Sequence, residues 1–131
     1  MRAFLLLLLA LAMVCPAWAG PKIYVGGSSQ AEIDGKFLYV GGSKVGELDG
    51  QKVYKSGSKV GEINGKNIYK DGSRVAELDG KKLYVGGTAD WEFTGDKAYY
   101  KGSSRIEVKG LTADPHVQQM TIMFILFFYE P

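Results

Sequence analysis

The sequence predicts an all-β fold of fifteen-residue β-hairpin repeats closed around an axis, with an apolar C-terminal strand as central stem. Three observations predict it. Tyr24, Tyr39, Tyr54, Tyr69, Tyr84 and Tyr99 stand fifteen residues apart. Glu32, Glu47, Glu62, Glu77, Glu92 and Glu107 keep that spacing, and so do Gly35, Gly50, Gly65, Gly80, Gly95 and Gly110. Self-similarity at a fixed period means one small unit stacked on copies of itself. The third observation is the run Met120–Tyr129, in which Thr121 is the sole polar side chain.

The first element is a leader. Met1-Arg2 gives a positive start, Ala3 to Val14 is apolar and Leu-rich, and Ala17-Trp18-Ala19 offers small residues at both positions a signal peptidase reads. Residues 1–19 are expected to be a secretory signal cleaved after Ala19, leaving one domain over 20–131. A spanning anchor needs about 20 apolar residues, and this run is shorter. Cys15, the single cysteine, leaves with the leader, and Val14 before it does not fit a lipoprotein signal. The exported chain therefore has no disulfide framework and must be held by packing and strand pairing.

Residues 22–110 carry the repeats. The slot before each Tyr holds Ile23, Leu38, Val53, Ile68, Leu83 and Ala98; the slot after each Glu holds Ile33, Leu48, Ile63, Leu78, Phe93 and Val108. Between them come Asp34-Gly35, Asp49-Gly50, Asn64-Gly65 and Asp79-Gly80. Such dipeptides between apolar runs are a strong hairpin signal, because a type I′ turn needs positive φ at both central residues. Five tight-turn hairpins are expected at Ala31–Val40, Gly46–Lys55, Gly61–Lys70, Ala76–Val85 and Trp91–Tyr100. Half units at Lys22–Val25 and Ser104–Lys109 flank them and can pair with each other if the array closes. Closure is expected, since an open array would leave two bare edges. Whether the array counts five or six petals stays open.

Residues 111–119 break the pattern, and Asp114-Pro115 reads as a turn or extended connector. Residues 120–129 are too short to span a membrane as a helix. As a strand apolar on both faces they must be buried on both faces, which places them inside the ring. A tail lying outside, or coiled as a helix, would count against that architecture and for an envelope anchor.

At these residues the chain resembles the 5-fold β-flower proteins, short exported bacterial hairpin-repeat proteins. The pattern stands here as Asn64-Gly65-Lys66-Asn67-Ile68-Tyr69-Lys70-Asp71-Gly72-Ser73-Arg74-Val75-Ala76-Glu77-Leu78, with a Phe-rich end at Phe124-Ile125-Leu126-Phe127-Phe128. The resemblance implies hairpin petals about an axis and no known activity. Tyr in every copy departs from the family pattern. So do Trp91 and Ile106, where other copies hold Ala31, Gly46, Gly61 and Ala76, and Asp90 and Arg105 in place of Val45, Val60 and Val75.

Chemistry is sparse. The formal net charge of +2 comes from charges of alternating sign with no basic block, so nucleic acid has no electrostatic footprint. The one His, His116, cannot make a zinc site alone, and no Cys remains to act as nucleophile. No catalytic residue, cofactor or metal site is therefore expected. A ring of Glu could hold Ca²⁺, but Lys44, Lys59 and Arg74 lie three residues before Glu47, Glu62 and Glu77, which favours a solvated, charge-paired face. The Tyr column either stacks on sugars or packs ring to ring between copies. Trp91 and Tyr100 break the repeat and are the candidate binding face. The expected function is an exported (periplasmic or extracellular), non-enzymatic structural or interaction protein of unknown partner. The alternatives are an envelope glycan-binding module using Tyr and Trp faces, and a membrane-associated protein using the apolar C-terminal segment.

Overall fold

The computed structural model describes residues 20–129, so the expected leader lies outside the described residues. Twelve strands follow in chain order: β1 Lys22–Val25, β2 Ser28–Asp34, β3 Phe37–Val40, β4 Ser43–Asp49, β5 Lys52–Lys55, β6 Ser58–Asn64, β7 Asn67–Lys70, β8 Ser73–Asp79, β9 Lys82–Val85, β10 Thr88–Thr94, β11 Lys97–Tyr100 and β12 Ser103–Val108. Each is antiparallel to its neighbours in sequence, and the sheet closes into a barrel. Closure is made where the sequence places it: β1 pairs with β12 through Ile23↔Val108, Tyr24↔Glu107 and Val25↔Ile106. Among the described residues no strand edge is left unpaired, which removes the template for edge-to-edge aggregation.

Period-2 alternation decides what faces inward. The Ile23–Ala98 column is fully buried, and Ile33, Leu48, Ile63, Phe93 and Val108 of the second column are buried with it. Full burial of one Ile or Leu contributes roughly 1.5–3 kcal/mol. The outward positions carry Tyr, Glu and Lys. Alternation is interrupted once per repeat by a β-bulge, where Tyr39 pairs with Lys44 but Leu38 pairs with Gly46. The extra residue, Val45, and its equivalents Val60 and Val75 turn back against the core.

The turns differ from expectation. Asp34 pairs with Phe37 at the end of β2, so the turn residues are Gly35 and Lys36, not Asp34 and Gly35. Only Gly35 has positive φ, +60°, the pattern of a type II′ turn with Gly first. The turns at the opposite end are the type I′ ones: Gly26-Gly27 have φ of +61° and +89°. Ser56, Asp71 and Lys101 occupy the first turn position there with φ of 53°, 53° and 50°. Most turns also tie to a neighbouring strand, as Leu48 N–H donates to the Lys36 carbonyl at 2.8 Å and Ser56 N–H to the Val45 carbonyl at 3.0 Å.

The C-terminal segment is corrected. It is not a strand over 120–129; it is a helix, α1, spanning Pro115–Phe127, so the connector ends at Asp114 and not at 119, and the architecture built on an extended central strand is overturned by the coiled outcome named against it. Val117, Met120, Thr121, Ile122, Met123, Phe124, Ile125 and Phe127 of α1 are buried in one cluster with the inward side chains of the barrel. The reason is backbone chemistry. A closed barrel has no free edge to pair with, so an extended segment inside would leave its N–H and C=O groups unsatisfied in an apolar space. A helix satisfies its own, and an all-round apolar helix belongs inside a core. The 13-residue helix is about 20 Å long, close to the roughly 23 Å of a seven-residue strand. Asp114 caps its start by accepting from the His116 N–H at 2.9 Å, with Pro115 at the position that needs no N–H. Thr121, the one polar side chain in the core among the described residues, donates to the Val117 carbonyl at 2.8 Å. No described helix is long and apolar enough to cross a membrane.

Aromatic side chains at the end of α1 fit the small residues of the wall. A Cβ on Gly46 would sit 2.6 Å from the Phe128 ring; one on Gly61 would sit 2.6 Å from Phe127 and also meet the Tyr69 carbonyl oxygen. Phe128 can swing, whereas backbone cannot, and overpacking costs about 1–3 kcal/mol. Gly61→Ala is therefore expected to destabilise by about 2 kcal/mol or more and Gly46→Ala by less, as read from urea unfolding. Ser56→Gly is expected to stabilise by about 0.5–1 kcal/mol in the same assay, because a non-Gly residue in the left-handed region is strained.

Candidate outer-wall binding site

The repeat-defining polar residues meet on the outer wall. Every Tyr of the column stands directly opposite a Glu: Tyr39 pairs with Glu32, Tyr54 with Glu47, Tyr69 with Glu62, Tyr84 with Glu77, Tyr99 with Glu92 and Tyr24 with Glu107. On its other side the bulge sets Lys44, Lys59 and Arg74 opposite Tyr39, Tyr54 and Tyr69. The rings therefore do not pack on one another. Column neighbours are two strands apart, about 9.6 Å at a strand spacing of about 4.8 Å, with charged side chains between. The expectation of ring-to-ring packing is corrected accordingly.

Three grooves repeat along this wall. One is lined by Lys44, Glu47, Tyr54 and Gly57, the next by Lys59, Glu62, Tyr69 and Gly72, and the third by Arg74, Glu77, Tyr84 and Gly87. Each offers an aromatic face, a cation and a carboxylate in the same order, because each is cut by the same bulge. The groove chemistry suits a polar ligand with a flat apolar face.

The carboxylates are engaged by bases. Glu47 bonds Lys36 at 3.1 Å, Glu62 meets Lys59 at 3.5 Å, and Glu77 lies 3.4 Å from Lys66 and 3.9 Å from Arg74. The bond from Glu47 raises the Lys36 ammonium above its ordinary value of 10.5, and the charges of Glu47 and Asp49 add to this. Among the described residues no three His, Cys, Asp or Glu side chains converge on a point where a metal could sit. His116 is used structurally: its Nε2 lies 2.7 Å from the Gly35 carbonyl, which can only accept, so the ring proton is on Nε2.

Trp91 and Tyr100, the candidate binding face, are placed elsewhere. Trp91 is 3% exposed, and its ring centroid lies 4.9 Å from Tyr100 and 6.0 Å from Tyr129. Trp91 fills one lip of the barrel against the tail and offers no free face for stacking, because its position is an inward one in the pairing Trp91↔Leu83. Sequence reasoning missed Lys55 and Lys70, whose ammonium groups donate to the Phe127 and Leu126 carbonyls at 3.0 and 3.1 Å and so cap the end of α1. Once α1 is recognised, no sequence signal short of the fold pairs these lysines with it.

Comparison with family models, with curated proteins and with solved structures returns no match. Exposed ion pairs contribute about 0–1 kcal/mol each. Glu47→Gln and Glu62→Gln are thus expected to cost under about 1 kcal/mol, and thermal melts in Ca²⁺ and in EDTA are expected to superimpose.

Proposed function

We propose that the chain is an exported, non-enzymatic structural or interaction protein whose working surface is the outside of the barrel. In this reading six fifteen-residue units stand around α1 as their stem. The observation that carries it is the burial of α1 on every side, from Val117 through Met120–Ile125 to Phe127. A lumen occupied by the chain's own helix has no room for substrate, so recognition falls to the exterior. The resemblance to 5-fold β-flower proteins leads to the same reading, petals about an axis without an activity. Removing residues 117–131 tests it: the product is expected to be unfolded or multimeric by circular dichroism and sedimentation. A cooperatively folded monomer would show that α1 is not the stem.

A second reading is supported by the three equivalent grooves. A tyrosine face beside a cation and a carboxylate can stack on a sugar ring and hydrogen-bond its hydroxyls, so an envelope glycan fits each groove. On a glycan array, binding that weakens as Tyr54→Ala, Tyr69→Ala and Tyr84→Ala accumulate is the expected result. Silence of the unaltered protein across the array removes this reading.

A further inference from the structure

The two ends of the barrel differ in chemistry. At the type I′ turn end the half-buried apolar side chains gather. Val25, Val40, Val85 and Tyr100 end their strands there, Val45, Val60 and Val75 turn toward it at the bulges, and Leu126, Phe128 and Tyr129 reach it from α1. Leu78 alone among the half-buried hydrophobics packed on the core sits near the other end. The same rim is cationic. Lys55, Lys70 and Lys101 stand at its strand ends and turns, and Lys44, Lys59, Arg74 and Arg105 on the strands that leave it. Asp71 and Asp90 stand at this end among them, and Lys59 and Arg74 reach down the wall to Glu62 and Glu77. The opposite end mixes signs at its turns, with Asp34, Asp49, Asp79 and Asp96 beside Lys36, Lys66 and Lys81, gathers only Leu78 of those half-buried side chains, and is covered by the connector through buried Leu111 and the Asp114 cap.

We propose that the type I′ end docks the barrel on a lipid surface carrying anionic headgroups. An annulus of half-exposed valines and aromatics ringed by long cations matches the interface of such a surface, which offers apolar depth and a plane of negative charge together. Lys55 and Lys70, bonded to the α1 carbonyls, and Lys101 and Arg105, over the Tyr100 ring, place their charge directly against the apolar annulus. A free anion would leave the apolar annulus unused, and a nucleic acid would leave it exposed. The contact is peripheral: α1 stays in the barrel and only the rim meets headgroups. This inference goes beyond the outer-wall reading and does not rest on it.

The test is co-sedimentation of the chain from Gly20 onward, which holds every strand and α1, with vesicles of phosphatidylcholine alone or with phosphatidylglycerol. Binding to the anionic vesicles that weakens as salt is raised is expected, with little binding to phosphatidylcholine alone. Two variants of equal net charge separate the rim from the rest. Lys44→Glu with Lys101→Glu is expected to lower the affinity roughly tenfold or more. Lys81→Glu with Lys109→Glu, at the opposite end, is expected to leave most of it. Circular dichroism checks that both fold. Equal loss in the two pairs, absence of binding at low salt, or equal binding to both vesicle types overturns the proposal. So does a dimer in sedimentation that Phe128→Ser dissolves, since the rim would then be a contact between copies of this chain.

Discussion

The structure depends on one constraint: every backbone N–H and C=O inside a dry space must find a partner. Twelve short strands meet it by closing on themselves, so that β1 and β12 supply each other's missing bonds. Once the sheet is closed, its interior can take apolar side chains but has no hydrogen bonds to offer a visitor. The tail must therefore arrive with its own bonds already made, which means a helix. That is why a run rich in Ile, Phe and Met, with strong strand preference at several positions, coils between Pro115 and Phe127. Propensity yields because unpaired amides in an apolar interior cost several kcal/mol each, against differences of about 1 kcal/mol in strand preference.

The second theme is broken symmetry. The wall is a near-perfect repeat, and a smooth helix inside it could sit in any of several equivalent settings. One inward position per repeat removes that freedom. It holds Gly46 and Gly61 where Phe128 and Phe127 press outward, and Trp91 where Tyr129 leaves room. Lys55 and Lys70 then bond the last carbonyls of α1, opposing the negative pole of the helix dipole. At the other pole Asp114 and His116 fasten the helix start, the latter to the Gly35 turn. The variation of side-chain size at this one repeat position, from Gly46 and Gly61 to Trp91, thus orients the one element that does not repeat.

The exterior divides by height. Around the middle, Tyr39, Tyr54 and Tyr69 each face a Glu on one neighbour and a base on the other, so charge is neutralised locally and the same groove recurs. Toward the type I′ turns the bulge turns a valine to the rim, and Lys55 and Lys70 there bond the carbonyls of α1. The bulge, one extra residue per repeat, shapes both the groove chemistry and the apolar lip.

By itself the sequence determined the all-β class, the fifteen-residue period, the inward columns and the pairing of the terminal half units, because these follow from alternation and turn glycines, which are local. Asp114-Pro115 spelled a helix start as legibly as a turn, and the choice between them was not local. Only the tertiary structure decided that Met120–Ile125 coil, that Trp91 turns inward, and that Lys55 and Lys70 reach α1 across 72 and 56 residues of chain. These outcomes hang on what surrounds each group once the ring has shut, and a closed interior exists only after all twelve strands are in place.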